Sequence, residues 1–308
     1  MDLDLGEDAS ETEEGSETPP EEKGRLRRGE VLNRDELWPF RKSFSTTTIS
    51  LVRDVKSGKS TLISALYASF CKGPLAEYSF KSSYTLTAFA RLHHSALVRS
   101  ERDIPTTPRT SRQDVGFFHL NVVGPGGEQH IMIADRSGED FREARRNTDL
   151  IPNLWELQMA DRVCFILDAG RMVNPETRTG YKREFKQQIW ALLNNNAVAP
   201  GSTLEILSTK LDQLAPAGHS IPDLDELGEF ERAVVSEFGQ AGHRVDVRRI
   251  CALPRSNYAV GILGLEDLLR GWSHEKPAGV ALPLPAVAPA RWIDQMMSPH
   301  RLCADRVG

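Results

Sequence analysis

Four short clusters in this 308-residue chain hold residue types suited to chemistry on a charged ligand. The first runs Arg53-Asp54-Val55-Lys56-Ser57-Gly58-Lys59-Ser60-Thr61. Its second half has the form of a loop in which backbone N–H groups and a helix N-terminus surround a phosphate. Lys59 would reach the phosphate oxygens and Ser60 would offer its hydroxyl to Mg²⁺, with Lys56, Ser57, Gly58 and Thr61 completing the cradle. The consensus asks for Gly where Arg53 stands, so a chance Gly-Lys-Ser on an ordinary helix stays open on these residues alone. The second cluster, Ile131-Met132-Ile133-Ala134-Asp135-Arg136-Ser137-Gly138, ends an apolar run in an acid. Asp135 could hold Mg²⁺ and the Gly138 N–H could meet a terminal phosphate. Many strands end in an acidic turn, so this signal is weak by itself.

The third cluster is Thr209-Lys210-Leu211-Asp212, which follows the run Leu204-Glu205-Ile206-Leu207-Ser208. The Asp212 carboxylate suits the N1–H and N2–H₂ donors of guanine, while the Lys210 stem would lie over the base. On adenine the same carboxylate would face an acceptor, so the pattern discriminates as well as binds. The plain alternative is a strand running into a charged turn. The fourth, Cys251-Ala252, follows the run Val245 to Ile250 and could present a backbone N–H to guanine O6.

Such groups act only if strands and helices bring them to one place. The β-branched run Thr48 to Val52 predicts a strand ending at the first cluster, and Thr61 to Tyr67 has apolar residues at helical spacing. A second helix is expected near Tyr84 to Val98, then a polar loop from Asp103 to Gln113. Phe117 to Val123 and Gln129 to Ala134, joined by Gly124-Pro125-Gly126-Gly127, predict a hairpin. Val163 to Leu167 is apolar throughout, as in a strand covered on both faces. A helix from Gly180 to Leu193, a strand from Thr203 to Ser208, a helix from Leu224 to Phe238, a strand from Val245 to Cys251 and a helix from Leu263 to Trp272 complete the alternation. The fold class is α/β, with a mostly parallel sheet between helical layers. Each cluster then stands at the C-terminal end of its own strand, the edge where open α/β sheets bind ligands. The shared order makes a nucleotide site the better reading of all four.

Residues 1–23 hold ten acids against Lys23 alone, so the net charge of −5 leaves the rest of the chain mildly basic at +4. Residues 1–30, acidic, Ser/Thr/Pro-rich and nearly free of large apolar side chains, cannot offset their ordering entropy by burial and read as disordered. Glu30 to Thr46 reads as a linker, with Trp38-Pro39-Phe40 able to pin it to the body. Cys71, Cys164, Cys251 and Cys303 have neither metal-site spacing nor a disulfide pattern. No apolar run is long enough to span a membrane, and acids stand where a signal peptide needs cations. A cytoplasmic protein without a nucleic-acid partner is expected. The organisation expected is a tail and linker over 1–46, one domain over 47–273 and a Pro/Ala-rich tail over 274–308. Within that last tail, 277–289 reads as irregular and 291–297 as a short helix.

With these motifs in this order, the chain resembles a P-loop GTPase of the translation-factor/Ras-like class. Ser57-Gly58-Lys59-Ser60-Thr61, the hairpin and the run Ile133-Ala134-Asp135-Arg136-Ser137-Gly138-Glu139-Asp140-Phe141-Arg142 are similar to the bacterial double-GTPase domain family. The resemblance implies a three-layer P-loop NTPase fold with one antiparallel hairpin strand. It also implies GTP and Mg²⁺ as cofactors, and a regulatory or effector protein as partner, such as a second GTPase or a GTPase activator. The setting would be bacterial conflict or signalling. Lys59, Gly138 and Glu139 would serve catalysis. Lys56 to Thr61, Thr209, Lys210, Asp212, Cys251 and Ala252 would bind the nucleotide, and Ser60, Thr110 and Asp135 the metal. Thr106 and Thr107 compete with Thr110 for the switch position.

Two departures qualify that expectation. Arg53 replaces the first loop glycine, leaving nucleotide affinity open. Glu139 stands where many GTPases use Gln to orient water, so slow or partner-stimulated hydrolysis is expected. Arg136, Arg142, Arg145 and Arg146 surround this run and read as a solvated basic face rather than as a charge-stabilising finger. His93 and His94, paired on a helix, read as surface residues. The rivals are an interaction module without turnover and an ATP-using enzyme, the latter disfavoured by Thr209 to Asp212.

Overall fold

The computed structural model describes residues 29–52, 57–96, 115–172 and 174–273. Seven strands form one sheet: β1 (Thr46–Val52), β2 (Ser79–Ser82), β3 (Gly116–Gly124), β4 (Gly127–Asp135), β5 (Arg162–Asp168), β6 (Thr203–Thr209) and β7 (Val245–Arg249). Their order is β2-β3-β4-β1-β5-β6-β7. β1 pairs in parallel with β4 and β5, and β5–β6 and β6–β7 are parallel too. Only β3 runs against its neighbours, β2 and β4. A Pro125-Gly126 turn joins β3 to β4, with Gly124 paired to Gly127.

The eight helices among the described residues are α1 (Arg34–Ser43), α2 (Lys59–Lys72), α3 (Leu86–Ala96), α4 (Gly138–Arg146), α5 (Trp155–Met159), α6 (Pro175–Asn194), α7 (Asp225–Gln240) and α8 (Leu265–Ser273). Alternate side chains of the strands feed two apolar layers. On one face Ile49, Leu51, Cys164 and Ile166 meet Leu62, Ile63 and Leu66 of α2, Phe89 of α3 and Trp272 of α8. On the other, Val52, Val163, Phe165 and Leu167 meet Phe141 of α4, Phe185 and Ile189 of α6, and Phe230 and Phe238 of α7. β5 is therefore buried on both sides, which is why its sequence is apolar without alternation. Each fully buried Leu or Phe contributes on the order of 2 kcal/mol.

The expected strand from Val245 to Cys251 ends at Arg249, and Cys251 instead bridges to Leu263. Gly264 turns the chain there at φ 76°, where a Cβ would fall 2.0 Å from the Arg249 carbonyl oxygen. β2 is an addition to the sequence expectation; its residues Ser79, Phe80, Lys81 and Ser82 are all exposed, so no burial pattern marks it. The irregular stretch expected over 277–289 and the short helix expected over 291–297 lie outside the described residues.

The stretch read as a linker before Thr47 contains α1. Its signal was present: Asn33 Oδ1 accepts from Glu36 N–H at 3.0 Å and Glu36 Oε2 accepts from Asn33 N–H at 3.0 Å, a reciprocal cap. The pin is Leu37 and Phe40, 1% and 4% exposed, and not Trp38, which is 52% exposed. Phe40 lies edge-on to His119 and His130. Tyr84 N–H donates to His119 Nδ1 at 3.1 Å, so the His119 proton sits on Nε2 and points at His130 Nδ1, 3.0 Å away. His130 then directs its own Nε2 proton toward Glu128, 3.6 Å off.

Candidate functional site

The C-terminal ends of β4, β1, β5 and β6 lie side by side, and the chain leaves each into a turn that carries candidate site residues. From β1 it reaches Ser57 and Gly58. Gly58 has φ 98°, a left-handed value that suits glycine, and it caps α2. A Cβ there would meet only Thr209 Oγ1, at 3.9 Å. Lys59 and Ser60 open the 14-residue α2, whose N-terminus and dipole face this edge. Thr61 follows, half-buried. Lys56, Arg53 and the threonines Thr106, Thr107 and Thr110 lie outside the described residues.

Lys59 is completely buried. Its ammonium is ion-paired with Asp135, the last residue of β4, and donates to the Arg136 carbonyl oxygen at 2.6 Å. Buried cations need such partners, since desolvation otherwise favours the neutral amine. Ser57 Oγ, also buried, has no partner. Ser57 presents its carbonyl to Thr209 Oγ1 at 3.1 Å, and the same hydroxyl lies 3.3 Å from the Leu167 carbonyl oxygen. One hydroxyl thus ties the first loop to the ends of β5 and β6.

Gly138 and Glu139 form the first turn of α4, capped by the Ser137 side chain, which accepts from Glu139 N–H. Glu139 is buried. Arg136 corrects the expectation of a solvated basic face. It is 7% exposed, and its guanidinium turns from this edge to the fully buried Glu156. Nε donates to Glu156 Oε1 at 2.6 Å, and Nη2 donates to Oε2 at 2.8 Å and to the Asn153 carbonyl at 2.9 Å. Burial works against the charge, but the Glu156 bonds and charge outweigh it and hold the Arg136 pKa above its usual value. Arg145 pairs with Glu184 on α6. His93 bonds Ser64 through Nδ1 at 3.1 Å, and His94 is exposed.

At the far side, Lys210 adopts φ 60°, ψ 41°, and its ammonium meets Asp168 Oδ2 at 2.5 Å. Asp212 sits in a short 3-10 turn, Leu211–Gln213, and is 3% exposed. Its Oδ2 accepts from the N–H groups of Arg255 and Ser256, each at 2.9 Å, and Oδ1 accepts from Cys251 Sγ at 3.6 Å. Burial pushes the Cys251 thiol up to about 11, with the Asp212 charge adding to the effect. Ala252 follows, half-buried. Asn257 braces this loop by donating to the Pro216 and His219 carbonyls at 2.8 and 2.7 Å.

Two participants went unnoticed in the sequence. Asp168 ends β5 as Asp135 ends β4, and that equivalence was a usable signal. Glu156 had none, being one acid in a five-residue helix. Among the described residues no three His, Cys, Asp or Glu side chains gather as a metal site.

A mostly parallel sheet between helical layers, with a Gly-Lys-Ser loop at the N-terminus of α2 and a Thr-Lys-x-Asp turn after β6, defines a P-loop NTPase-type nucleotide-binding domain. The chain belongs to the Double-GTPase 2 family, whose sequence model matches residues 47–273. A guanine nucleotide is the ligand that membership implies. No curated protein matches the chain. Among solved structures it is similar to a chain of the signal recognition particle receptor SRb-GTP/SRX complex from Chaetomium thermophilum, at 15% identity and a TM-score of 0.41. The match covers 74% of this chain and 96% of that one. No helix of the described residues is long and apolar enough to cross a membrane.

Proposed function

We propose that the protein is a GTP-binding switch that binds GTP with Mg²⁺ and hydrolyses it slowly or under the influence of a partner protein. The observation that carries this reading is the Thr209 hydroxyl bonded to Ser57, which joins a phosphate loop to a base-reading turn whose next residues are Lys210, Leu211 and Asp212. The residues present fit the ligand. Ser57 Oγ is a buried hydroxyl lacking a partner, Lys59 is a buried ammonium at a helix N-terminus, and Gly58 leaves the loop open.

On this reading Lys59 exchanges its contact with Asp135 for the β- and γ-phosphate oxygens. Ser60 and Asp135 hold the metal, with a threonine of the 106–110 stretch as a further ligand. Bound Mg²⁺ would neutralise charge on the phosphates. Gly138 offers its N–H to the terminal phosphate. Glu139 is a carboxylate where a neutral side chain would orient water, so it repels the phosphate and keeps intrinsic turnover low. Lys210 covers the base, Asp212 reads N1–H and N2–H₂, and Cys251-Ala252 directs an N–H to O6. The functional unit is the domain 47–273, with α1 (Arg34–Ser43) packed against its sheet through Leu37 and Phe40. The partner is a regulatory or effector protein, such as a second GTPase or an activator, in a bacterial conflict or signalling system within the cytoplasm.

The runner-up is an interaction module that binds nucleotide weakly or without turnover. It draws on the pairing of Lys59 with Asp135 and of Asp212 with its own loop, contacts that a ligand must replace or share. Binding of fluorescent GTP with Mg²⁺, competed by GTP or ATP, tests the reading together with phosphate release. The expected result is displacement by GTP but not by ATP, with turnover below about 10⁻² s⁻¹, the scale of unassisted GTPases. Equal competition by ATP would refute the guanine assignment, and no binding at all would refute the switch.

A further inference from the structure

We infer that Asp168 is a positioning residue, which holds Lys210 across the base plane of a bound nucleotide. This rests on the guanine reading proposed above and adds to it a residue outside the four sequence motifs. Asp168 ends β5 and is 5% exposed. In register it lies beside Thr209, the residue before Lys210. Its backbone N–H donates to the Tyr181 hydroxyl at 2.7 Å, which fixes the end of the strand from the α6 side.

Three observations converge on the pair. Lys210 is one of only three non-glycine residues with positive φ among the described residues, and its left-handed turn is unfavourable for an L-residue unless its surroundings impose it. The imposing contacts are the Thr209 hydroxyl bonds on one side and the Asp168 carboxylate at 2.5 Å on the other. Lys210 is 31% exposed at the rim, whereas the Asp168 side chain is 7% exposed, so the buried carboxylate anchors the more exposed cation and not the reverse. Finally, Asp168 Oδ1 is buried without a hydrogen-bond partner, so the carboxylate relies on the Lys210 ammonium at Oδ2 to offset its charge. That field favours the ammonium end of Lys210 and keeps its stem extended between the ends of β5 and β6. A lysine free to turn into solvent would give the base no such cover, because its four-carbon chain loses much rotamer freedom when stacked.

The test is a double-mutant cycle on full-length protein, read by GDP and GTP binding. Asp168→Asn keeps the shape and removes the charge. Lys210→Met keeps the stem length and removes the ammonium. Asp168→Asn alone is expected to weaken nucleotide binding about tenfold, in line with an interaction of about 1.4 kcal/mol. In the Lys210→Met background the same change is expected to have no further effect. Asp168→Glu, which still reaches the ammonium, should stay within about threefold of wild type, and a thermal melt of each variant monitors the fold. A purely structural Asp168 would weaken binding equally in both backgrounds and track the melting temperature, and that result overturns the inference. Should Asp168→Asn fail to fold, Asp168→Glu decides: loss of binding with an intact melt overturns it. If wild type does not bind guanine nucleotide, the functional reading falls and this inference falls with it. If wild type binds but the cycle shows no coupling, only the role of Asp168 falls.

Discussion

Removing the carboxylate of Glu156 should unfold this protein more readily than removing almost any surface charge, and the site explains why. Glu156 is fully buried and holds both Nε and Nη2 of Arg136. Arg136 follows Asp135 directly, and its carbonyl takes the Lys59 ammonium, so the clamp fixes the turn that leads into α4. Truncation to Ala leaves a buried guanidinium with Asn153 O and the longer 3.4 Å contact to Asp140 as its remaining bonds. Breaking a buried pair this way costs about 3–5 kcal/mol. In a domain of this size each kcal/mol lowers the melting temperature by about 2–4 °C, which gives a drop of roughly 6–20 °C for Glu156→Ala. Urea unfolding followed by circular dichroism measures the free energy, and a thermal scan measures the shift. Removing both charges tests the cause, because Arg136→Met with Glu156→Leu replaces the pair by apolar groups and should recover stability to within about 1 kcal/mol of wild type. A Glu156→Ala variant within about 1 kcal/mol of wild type, or a double variant worse than the single, would refute the reasoning.

Two further predictions concern other contacts. Thr209→Val keeps the shape but strips a donor from the buried Ser57 and Leu167 carbonyls, which should cost about 1–3 kcal/mol and weaken nucleotide binding about tenfold, mainly through faster release. Stopped-flow displacement of a labelled nucleotide checks it; an unchanged release rate would show that the tie is idle. Burial pushes the His130 pKa below its usual value, with Glu128 pulling the other way. The unfolded chain then takes up the proton first, so stability is whole above about pH 6.5 and falls as the pH drops toward the lowered value. Urea midpoints between pH 7 and 5.5 should slope downward in wild type and flatten in His130→Gln; parallel slopes would contradict the assignment.

The sheet was legible because Val163 to Leu167 is a continuous apolar run, Thr48 to Val52 is rich in β-branched residues, and four turns with chemical content follow expected strands. The hairpin was legible from its Gly-Pro-Gly-Gly turn. α1 escaped notice because Pro39 stands inside it, although Asn33 and Glu36 carried the cap. β2 escaped because a fully exposed edge strand has no burial pattern. The site itself was half legible. Lys59, Asp135, Thr209, Lys210 and Asp212 have types that advertise chemistry. Their partners have nothing local to mark them, since Asp168 meets Lys210 across 42 residues and Glu156 meets Arg136 across 20. Such contacts come from the strand order, which periodicity does not encode. The basic run around α4 misled because side-chain direction, and not charge count, decides what an arginine does.

The central claim is that the edge of this sheet reads guanine through Asp212. The most direct measurement is the affinity of wild type and Asp212→Asn for GTP and xanthosine triphosphate. Asn keeps one oxygen for the Arg255 and Ser256 N–H groups and turns an amide N–H₂ outward, so it suits a base with oxygen in place of the 2-amino group. Two lost charge-assisted hydrogen bonds of about 1.5–3 kcal/mol each amount to a 10²-fold or greater loss of GTP. The account predicts that loss, together with preference of the variant for xanthosine triphosphate. A wild type indifferent to GTP, or a folded Asp212→Asn that still prefers GTP, would contradict it.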